Sequence, residues 1–222
     1  MRGRGGACAV SLVLHGYWRS SAAYRVRIAL NLKGLAYSQI TYDLRTGAQR
    51  EPAYRDTSPQ GRVPVLDADG LHLTQSLAIM EWLDEAYPRP PLLPDDPANR
   101  AVVRAMAQLV ACDIHPLNNL AVLQWLRGEA GANDDTVNAW MRHWITQGFA
   151  ALEVLVARHG GTFAFGSVPT MADCCLVPQL YSARRFDVDL QAFPRLVAAG
   201  EACTALPPFA AADPARQPDA DA

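Results

Sequence analysis

The sequence lacks any apolar run near the roughly 20 residues that cross a bilayer as a helix. The N-terminal stretch, residues 1–14, carries two arginines but no convincing signal for cleavage and export. The sequence also has no large excess of charge of either sign, because it contains 20 Lys and Arg and 22 Asp and Glu, for a net charge of -2. Nucleic acid and membrane are therefore not expected partners, and we expect a cytoplasmic protein.

Cysteine is scarce and lacks the spacing of a zinc site or of a disulfide framework. The sequence has five cysteines, an odd number, and no C-x-x-C pair. We expect no bound metal and reduced, mostly buried thiols, because a free cysteine usually behaves as a small apolar residue. These residues are Cys8, Cys112, Cys174, Cys175 and Cys203.

The N-terminal part of the chain alternates between strand and helix patterns. Residues 9–14 are mostly apolar and predict a buried strand. Ser20 or Ser21 then offers an N-cap for a helix that ends at Gly34. Residues 38–42 alternate as a second strand, and a β-helix-β unit of this spacing makes the two strands parallel with a right-handed crossover.

A hairpin and a further helix complete this pattern. Residues 63–66 and 71–74 are predicted strands on either side of Asp69-Gly70, which is a turn signal. A short helix is expected near residues 49–55, and another from residue 76 to residue 87, where Pro88 ends it. The chain of 222 residues has room for one large domain or two small ones, and this order is that of a thioredoxin-like α/β domain.

The remainder of the chain is helical in pattern. Residues 89–94 are rich in proline and predict an extended interdomain linker. Thr170 and Asp173 have the spacing of a capping box. Amphipathic helical stretches are predicted at residues 99–127, 134–158, 171–184 and 194–203. We expect an α/β domain over residues 9–88, an all-helical domain over residues 95–207 and a disordered tail, rich in Ala, Asp and Pro, over residues 208–222.

Three places could give polar contacts to a bound ligand. A cis Val63–Pro64 bond would turn the Val63 N–H and C=O outward to pair with an extended peptide, whereas a trans proline is merely structural. Gln75 and Ser76 begin a helix whose free N–H groups and dipole attract a carboxylate, and a plain N-cap by Ser76 is compatible with that role. His115 either packs in a core or an interface, or lines a cleft.

The hydroxyls and arginines near the first predicted helix could bind a ligand or act in catalysis, or they could simply cap the helix and lie at the surface. Ser20 and Ser21 are more commonly caps than catalytic groups, unless a bound thiol needs a hydroxyl and a helix N-terminus to stabilise its thiolate. Arg19 lies in the loop before them and is placed to grip a carboxylate bidentately. Arg27 and Arg184 are expected to be solvated surface residues.

These segments together resemble one enzyme family. The run Tyr17-Trp-Arg-Ser-Ser-Ala-Ala-Tyr-Arg-Val-Arg-Ile-Ala-Leu30 resembles the signature of the zeta-class glutathione transferases, the maleylacetoacetate isomerases. Further matches spread over residues 10–207 are Arg62-Val-Pro64, Gln75-Ser-Leu-Ala-Ile79, Asp113-Ile-His-Pro-Leu-Asn-Asn119, Thr170-Met-Ala-Asp-Cys174 and Ala183-Arg-Arg-Phe186. The resemblance implies the glutathione transferase fold, an α/β thioredoxin-like N-terminal domain plus an all-α C-terminal domain.

The resemblance also implies glutathione as the cofactor, a small dicarboxylic keto acid as the substrate and a homodimer. The implied reaction is a cis-trans isomerisation, in which a thiolate adds to the cis double bond, lets it rotate and leaves. Ser20 or Ser21 would ionise the thiol, while Arg19 and Arg185 would hold substrate carboxylates. The residues implied to bind glutathione are Ser20, Ser21, Arg25, Gln49, Arg62, Val63, Gln75, Ser76, His115 and Asn119.

One departure from the family pattern affects the substrate. The family usually has Ser-Ser-Cys-x-Trp, and here Ala22 and Tyr24 occupy the cysteine and tryptophan positions. The nucleophile must then come from glutathione itself. Maleylpyruvate isomerases of gentisate-type degradation also lack that cysteine, whereas Asn119-Leu-Ala121 favours maleylacetoacetate and the breakdown of tyrosine and phenylalanine.

Two readings from other classes also stay open. A glutathione-conjugating transferase would use the same cofactor site but would keep the thioether as its product. A non-catalytic binding module would be favoured by loss of Ser20 and Arg19, and both residues are present.

Overall fold

A computed structural model describes residues 11–221, which form a small mixed sheet with helices and then a helical region, the fold class expected from the sequence. The elements of the first part are β1 (Leu12–Gly16), α1 (Ser21–Leu32), β2 (Ser38–Thr41), α2 (Pro52–Arg55), β3 (Val65–Ala68), β4 (Leu71–Thr74) and α3 (Ser76–Ala86). The elements of the second part are α4 (Pro97–Gln108), α5 (Leu120–Gly128), α6 (Asp134–His159), α7 (Met171–Arg185), α8 (Pro194–Thr204) and α9 (Pro207–Ala212). Within residues 11–221, no helix has the length and the apolar content needed to cross a membrane.

The sheet has the strand order β2-β1-β3-β4. Strand β1 runs parallel to β2, as the crossover through α1 requires, and antiparallel to β3. The β3–β4 hairpin closes at Asp69 and Gly70, which both have positive φ, 52° and 88°. A two-residue turn that matches the twist of its strands needs positive φ at both positions, and these two residue types tolerate it. The predicted order of strands and helices is therefore confirmed.

Two strands begin later than their sequence patterns suggest. The strand predicted at residues 9–14 is β1, which starts at Leu12, and residues 9 and 10 lie outside the described residues. The strand predicted from residue 63 is β3, which starts at Val65, because Pro64 has no N–H to donate to a neighbouring strand. The Val63–Pro64 bond is cis.

The helix predicted over residues 99–127 is wrong as one continuous element. A π turn (Leu109–Ile114) and a 3₁₀ turn (His115–Asn118) separate α4 from α5. Pro116 has no N–H to continue an α-helical pattern, so the hydrogen-bond spacing changes before it. The chain therefore turns at His115, and α5 begins only after Asn119.

Helix α7 crosses the centre of the helical region, and its side chains from Met171 to Leu180 are buried. The predicted capping box at its start is confirmed. The Asp173 carboxylate accepts the N–H groups of Thr170 and Ala164, each at 2.8 Å, and the Thr170 hydroxyl at 3.0 Å. Burial raises the pKa of Asp173, and these hydrogen bonds oppose that rise. The carboxylate thus ties the segment before α7 to the helix.

The proline-rich segment after α3 has no regular structure but is firmly held. Lys33, buried at the end of α1, donates to the Asp84 carboxylate at 2.6 Å and to the carbonyls of Tyr87 and Pro90 at 2.8 and 2.6 Å. The Asp84 carboxylate also accepts the Leu92 N–H at 2.6 Å. Since these bonds span the segment, it is a fixed connection; the division into domains over residues 9–88 and 95–207 stays a prediction.

The disordered tail expected over residues 208–222 is wrong for the part that the structure describes. Helix α9 buries Phe209 and Ala212 completely, and a 3₁₀ turn (Pro214–Arg216) follows it. Arg27, expected at the surface, is also fully buried and donates to the Ala212 carbonyl at 3.1 Å. A buried guanidinium needs acceptors for its N–H groups, and the tail supplies one of them. The amino-acid composition of the tail and the charge of Arg27 therefore led to two wrong predictions.

The cysteines of the described residues are free thiols. Cys174, Cys175 and Cys203 are buried, as expected, while Cys112 is exposed. Cys8 lies outside the described residues. Burial raises the pKa of the Cys175 thiol to about 11, so this thiol is protonated near neutral pH.

We expect Asp173→Ala to lower the free energy of unfolding by about 3 kcal/mol, because two buried N–H groups and a hydroxyl lose their acceptor. Asp96→Ala is the matched control, since the Asp96 carboxylate caps α4 with a single bond to the Asn99 N–H at 2.8 Å at an exposed site. That control should lose about 1 kcal/mol. Urea unfolding measures both, and equal losses would contradict the central role given to Asp173.

Candidate functional site

Two adjoining cavities lie between the loops of the sheet and the helical region. The first, which we call the serine cavity, has a volume of about 390 Å³ and is lined by Arg19, Ser20, Ser21, Gln49 and Arg185 among others. The second, the α3 cavity, has a volume of about 370 Å³ and is lined by Ala22, Arg25, Gln75, Ser76 and Cys112 among others. Five residues line both cavities: Gln60, Arg62, Val63, His115 and Asn119. The two cavities therefore form one cleft.

The serine pair lies at the N-terminus of α1. Ser20 is the N-cap, and its Oγ accepts the Ala23 N–H at 3.2 Å. Ser21 is the first helical residue, and its hydroxyl has no hydrogen-bond partner among residues 11–221. Both side chains are half-buried and line the serine cavity, where the positive end of the helix dipole favours an anion.

Two arginines approach the serine cavity from opposite parts of the chain. Arg19 comes from the loop before α1 and lies with its guanidinium carbon 5.0 Å from the centre of the Trp18 ring. Arg185 comes from the last turn of α7 and packs in the same way on Phe186, at 4.8 Å. Within residues 11–221 neither forms a salt bridge. Desolvation, and next the charge of Arg19, lower the pKa of Arg185, so an anion placed between the two would be stabilised.

The α3 cavity has several free hydrogen-bonding groups. The backbone N–H and C=O of Val63 have no partner among residues 11–221. Helix α3 begins with Ser76 after Gln75, whose side chain forms no cap bond, so the first amides of the helix have no partner within the described residues and lie beside the cavity. The helix begins at Ser76, as expected, and the N-cap position is Gln75, so the alternative of a plain N-cap by Ser76 does not apply. Free amides at a helix N-terminus form a site for a carboxylate.

Arg25 is a buried cation at the wall of the α3 cavity. Its Nη1 donates to the Ser76 Oγ at 3.2 Å, while Nε and Nη2 have no partner in the described part of the chain. Burial lowers the pKa of this guanidinium. Because a buried charge without a partner is costly, Arg25 adds to the attraction of this cavity for an anion.

His115 and Asn119 reach the shared part of the cleft from the break between α4 and α5. Ile114 packs against Gly148 of α6, where a Cβ would overlap its side chain, and this close approach fixes the position of the turn. Burial, together with the charges of Arg25 and then Arg62, lowers the pKa of His115 to about 3. His115 is therefore neutral near pH 7, and it lines the cleft.

The remaining predicted residues belong to the loops between β2 and β3. Gln49 is buried, and its Oε1 has no partner within residues 11–221. The Arg62 carbonyl accepts both the Tyr54 and the Ser58 hydroxyl at 2.8 Å, which fixes the chain just before Val63. These two hydroxyls fix the Val63 backbone indirectly, through the Arg62 carbonyl, and neither was predicted from the sequence.

All the candidate residues of the sequence analysis line this single cleft. Sequence reasoning missed Gln179 and Ser182, which also line the serine cavity from α7. They precede Arg185 at a spacing of three residues, which places all three near one helix face. That spacing was the available signal, and it was hidden because most residues of α7 before Gln179 are apolar.

Comparison with known proteins identifies the family of this arrangement. Residues 19–86 match the family model of the glutathione S-transferase N-terminal domain, and residues 138–205 match that of the C-terminal domain. The maleylacetoacetate isomerase of Pseudomonas aeruginosa is 50% identical over 212 residues, which cover 94% of this chain and 99% of that protein.

Solved structures agree with this comparison. A holo structure of a maleylpyruvate isomerase, described as a bacterial glutathione S-transferase of zeta class, superposes with a TM-score of 0.92 at 47% identity and covers 94% of this chain and 100% of its own. The maleylacetoacetate isomerase of Anaeromyxobacter dehalogenans, solved with glutathione in its active site, has a TM-score of 0.87 at 48% identity and covers 96% and 99% of the two chains.

The lowered pKa of His115 predicts a loss of stability in acid. As the pH falls from 6.5 towards 3, the unfolded chain binds a proton that the native protein does not, so the free energy of unfolding decreases. His115→Asn should make this decrease shallower; some of it remains, because burial also lowers the pKa of His15. Urea unfolding at a series of pH values measures the slope, and identical slopes in both proteins would contradict the prediction.

Proposed function

Because this chain belongs to the glutathione S-transferase family, in its zeta class, we propose that it is a glutathione-dependent cis-trans isomerase that converts maleylacetoacetate to fumarylacetoacetate. The observation that carries this proposal is the pairing of Arg19 and Arg185 around the serine pair in one cavity. Two guanidinium groups that form no salt bridge within residues 11–221 suit a substrate with two carboxylates.

The free groups of the cleft fit glutathione. An extended tripeptide has a backbone that can pair with the Val63 N–H and C=O, and carboxylates that suit the N-terminus of α3 and the Arg25 guanidinium. The thiol then belongs at Ser20 and Ser21. The other residues that we propose to hold glutathione are Gln49, Arg62, Gln75, Ser76, His115 and Asn119.

The chemistry can be divided between the cofactor and the chain. Bound glutathione supplies the thiolate that adds to the cis double bond and leaves again after rotation, so that no atom or electron is consumed. The serine hydroxyls and the dipole of α1 hold a thiol in its ionised form. Arg19 and Arg185 orient the substrate carboxylates and offset the negative charge that develops on the substrate during addition.

Either serine can stabilise the thiolate. The Ser20 oxygen already accepts a cap bond, but its O–H can still donate; the Ser21 hydroxyl is not engaged within the described residues. Ser20→Ala would therefore also cost about 1 kcal/mol of helix stability. Comparing the thiol pKa of bound glutathione in Ser20→Ala and Ser21→Ala separates the two roles.

Maleylpyruvate is the second candidate substrate. Ala22 lines the α3 cavity at the position where the family usually has cysteine, and maleylpyruvate isomerases share that lack. The same cleft and the same chemistry serve both acids, since both are dicarboxylic keto acids with a cis double bond. We further propose that the protein acts in the cytoplasm and as a homodimer, as the family resemblance implies.

The experiment is ultraviolet-monitored turnover of both acids, with and without glutathione, beside a chloronitrobenzene conjugation assay. Glutathione-dependent isomerisation without loss of free thiol supports the proposal, and the faster acid identifies the pathway. Conjugation without isomerisation would reject it in favour of a general transferase.

We expect Arg185→Met to lower kcat/KM for the acid about tenfold or more, mainly through KM, because a charge-assisted contact with a carboxylate is lost. The KM for glutathione should change little. Arg184→Met is the matched control, since Arg184 is the preceding residue of α7 and lines neither cavity. Equal effects of the two substitutions would argue against a substrate role for Arg185.

A further inference from the structure

The C-terminal residues of the described chain contact two of the loops that border the serine cavity, the loop before α1 and the loop after β2. We call residues 213–221, which follow α9, the C-terminal strap. Asp219 Oδ2 accepts the Trp18 N–H at 2.9 Å, although 201 positions separate the two residues. Asp221 Oδ2 accepts a bond from Arg45 at 2.6 Å, and Arg45 lines the serine cavity from the loop after β2. The strap thus reaches the cleft from outside.

The strap is itself well fixed. The Gln217 side chain is buried and donates to the carbonyls of Ala211 and Asp213 at 3.0 and 2.8 Å. Its Oε1 accepts a bond from Gln39 on β2 at 3.2 Å. The strap is therefore anchored to both α9 and the sheet before it reaches Trp18.

The Trp18 backbone is held on both sides. Its N–H donates a hydrogen bond to Asp219, and its carbonyl accepts one from Arg27 Nη2 at 2.9 Å. The Tyr17 carbonyl accepts the Ser20 N–H at 3.0 Å and lies 3.5 Å from Arg27 Nη1. The next residue after Trp18 is Arg19, which stacks on the Trp18 ring. The direction of Arg19 therefore depends on contacts made outside the cleft.

We infer that the C-terminal strap is a positioning element of the loop that carries Arg19 and Ser20, with Asp219 as its positioning residue; this inference rests on the proposed function. Asp219 touches neither cavity, so it acts through the Trp18 N–H and not on the substrate. A misplacement of about 1 Å in a group that holds substrate can cost up to about a hundredfold in rate. The hydrogen bond from Trp18 is thus a determinant of how Arg19 binds the acid.

The test compares Asp219→Ala, Asp219→Asn and a control in the full-length protein with glutathione. Asp219→Ala should lower kcat/KM for the acid about tenfold, mainly through KM, with little change in the KM for glutathione. Asp219→Asn keeps an acceptor oxygen and should restore near wild-type values. The control is Asp189→Ala, because the Asp189 carboxylate also accepts one backbone N–H, from Gln191 at 2.9 Å, and lies away from both cavities.

A second readout does not depend on turnover. Hydrogen exchange of the Trp18 amide should be slow in the wild type and in Asp219→Asn, and faster in Asp219→Ala. A purely structural role would lower stability without the selective change in the KM for the acid, and that result would overturn the inference. Wild-type KM in Asp219→Ala would overturn it as well.

The outcomes separate this inference from the proposed function. An inactive wild type would reject the proposed function, while the exchange of the Trp18 amide would still test the contact. If Asp219→Ala does not fold, Asp219→Asn carries the test alone. A tenfold loss of kcat/KM for the acid in Asp219→Asn, which keeps the acceptor oxygen, would overturn the role of the hydrogen bond.

Discussion

The buried guanidinium of Arg27 is the interaction on which much of this structure depends. It has no exposed surface, and its donors reach the carbonyls of Tyr17, Trp18 and Ala212. Burial lowers the pKa of Arg27 to about 10, so it is still charged near neutral pH. A buried charge is costly unless its N–H groups are satisfied, and for Arg27 backbone carbonyls from distant segments satisfy them. Helix α1, the loop before it and α9 are therefore held together by one side chain.

This constraint links the fold to the cleft. Arg27 lies two turns into α1, and the first residues of the same helix are the serine pair. The loop that Arg27 holds leads directly to Arg19 and Ser20. The stability of the helix packing and the geometry of the cleft therefore share the same contacts.

Local patterns in the sequence were sufficient for most of the fold. The hairpin at Asp69-Gly70 and the capping box at Thr170 and Asp173 depend on neighbouring residues, so their signals are complete within a few positions. The break at Pro116 was missed because the apolar periodicity continues through it, although a proline without an N–H was visible there. The ordered tail was missed because its order comes from Arg27, far away in the sequence.

The candidate site was predictable to a similar degree and for similar reasons. Local signals singled out Ser20, Val63 and His115 as candidates, because each lies beside a proline or a helix start, and the family resemblance then implied their roles. Tyr54 and Ser58, which hold the Arg62 carbonyl, have no such signal. Their role depends on a loop that folds back so that both hydroxyls reach the Arg62 carbonyl. Such a contact can be identified only from the tertiary structure.

The contact between Trp18 and Asp219 has a consequence for biosynthesis. The ribosome makes the two residues 201 positions apart. Chains fold from the N-terminus as they are synthesised, so the sheet and α1 can form while the helical region is still being made. The loop with Arg19 gains its last support only when the strap has emerged. A nascent chain that already has a folded sheet therefore still has an unfinished cleft until residues 213–221 have been synthesised and have folded against the loop.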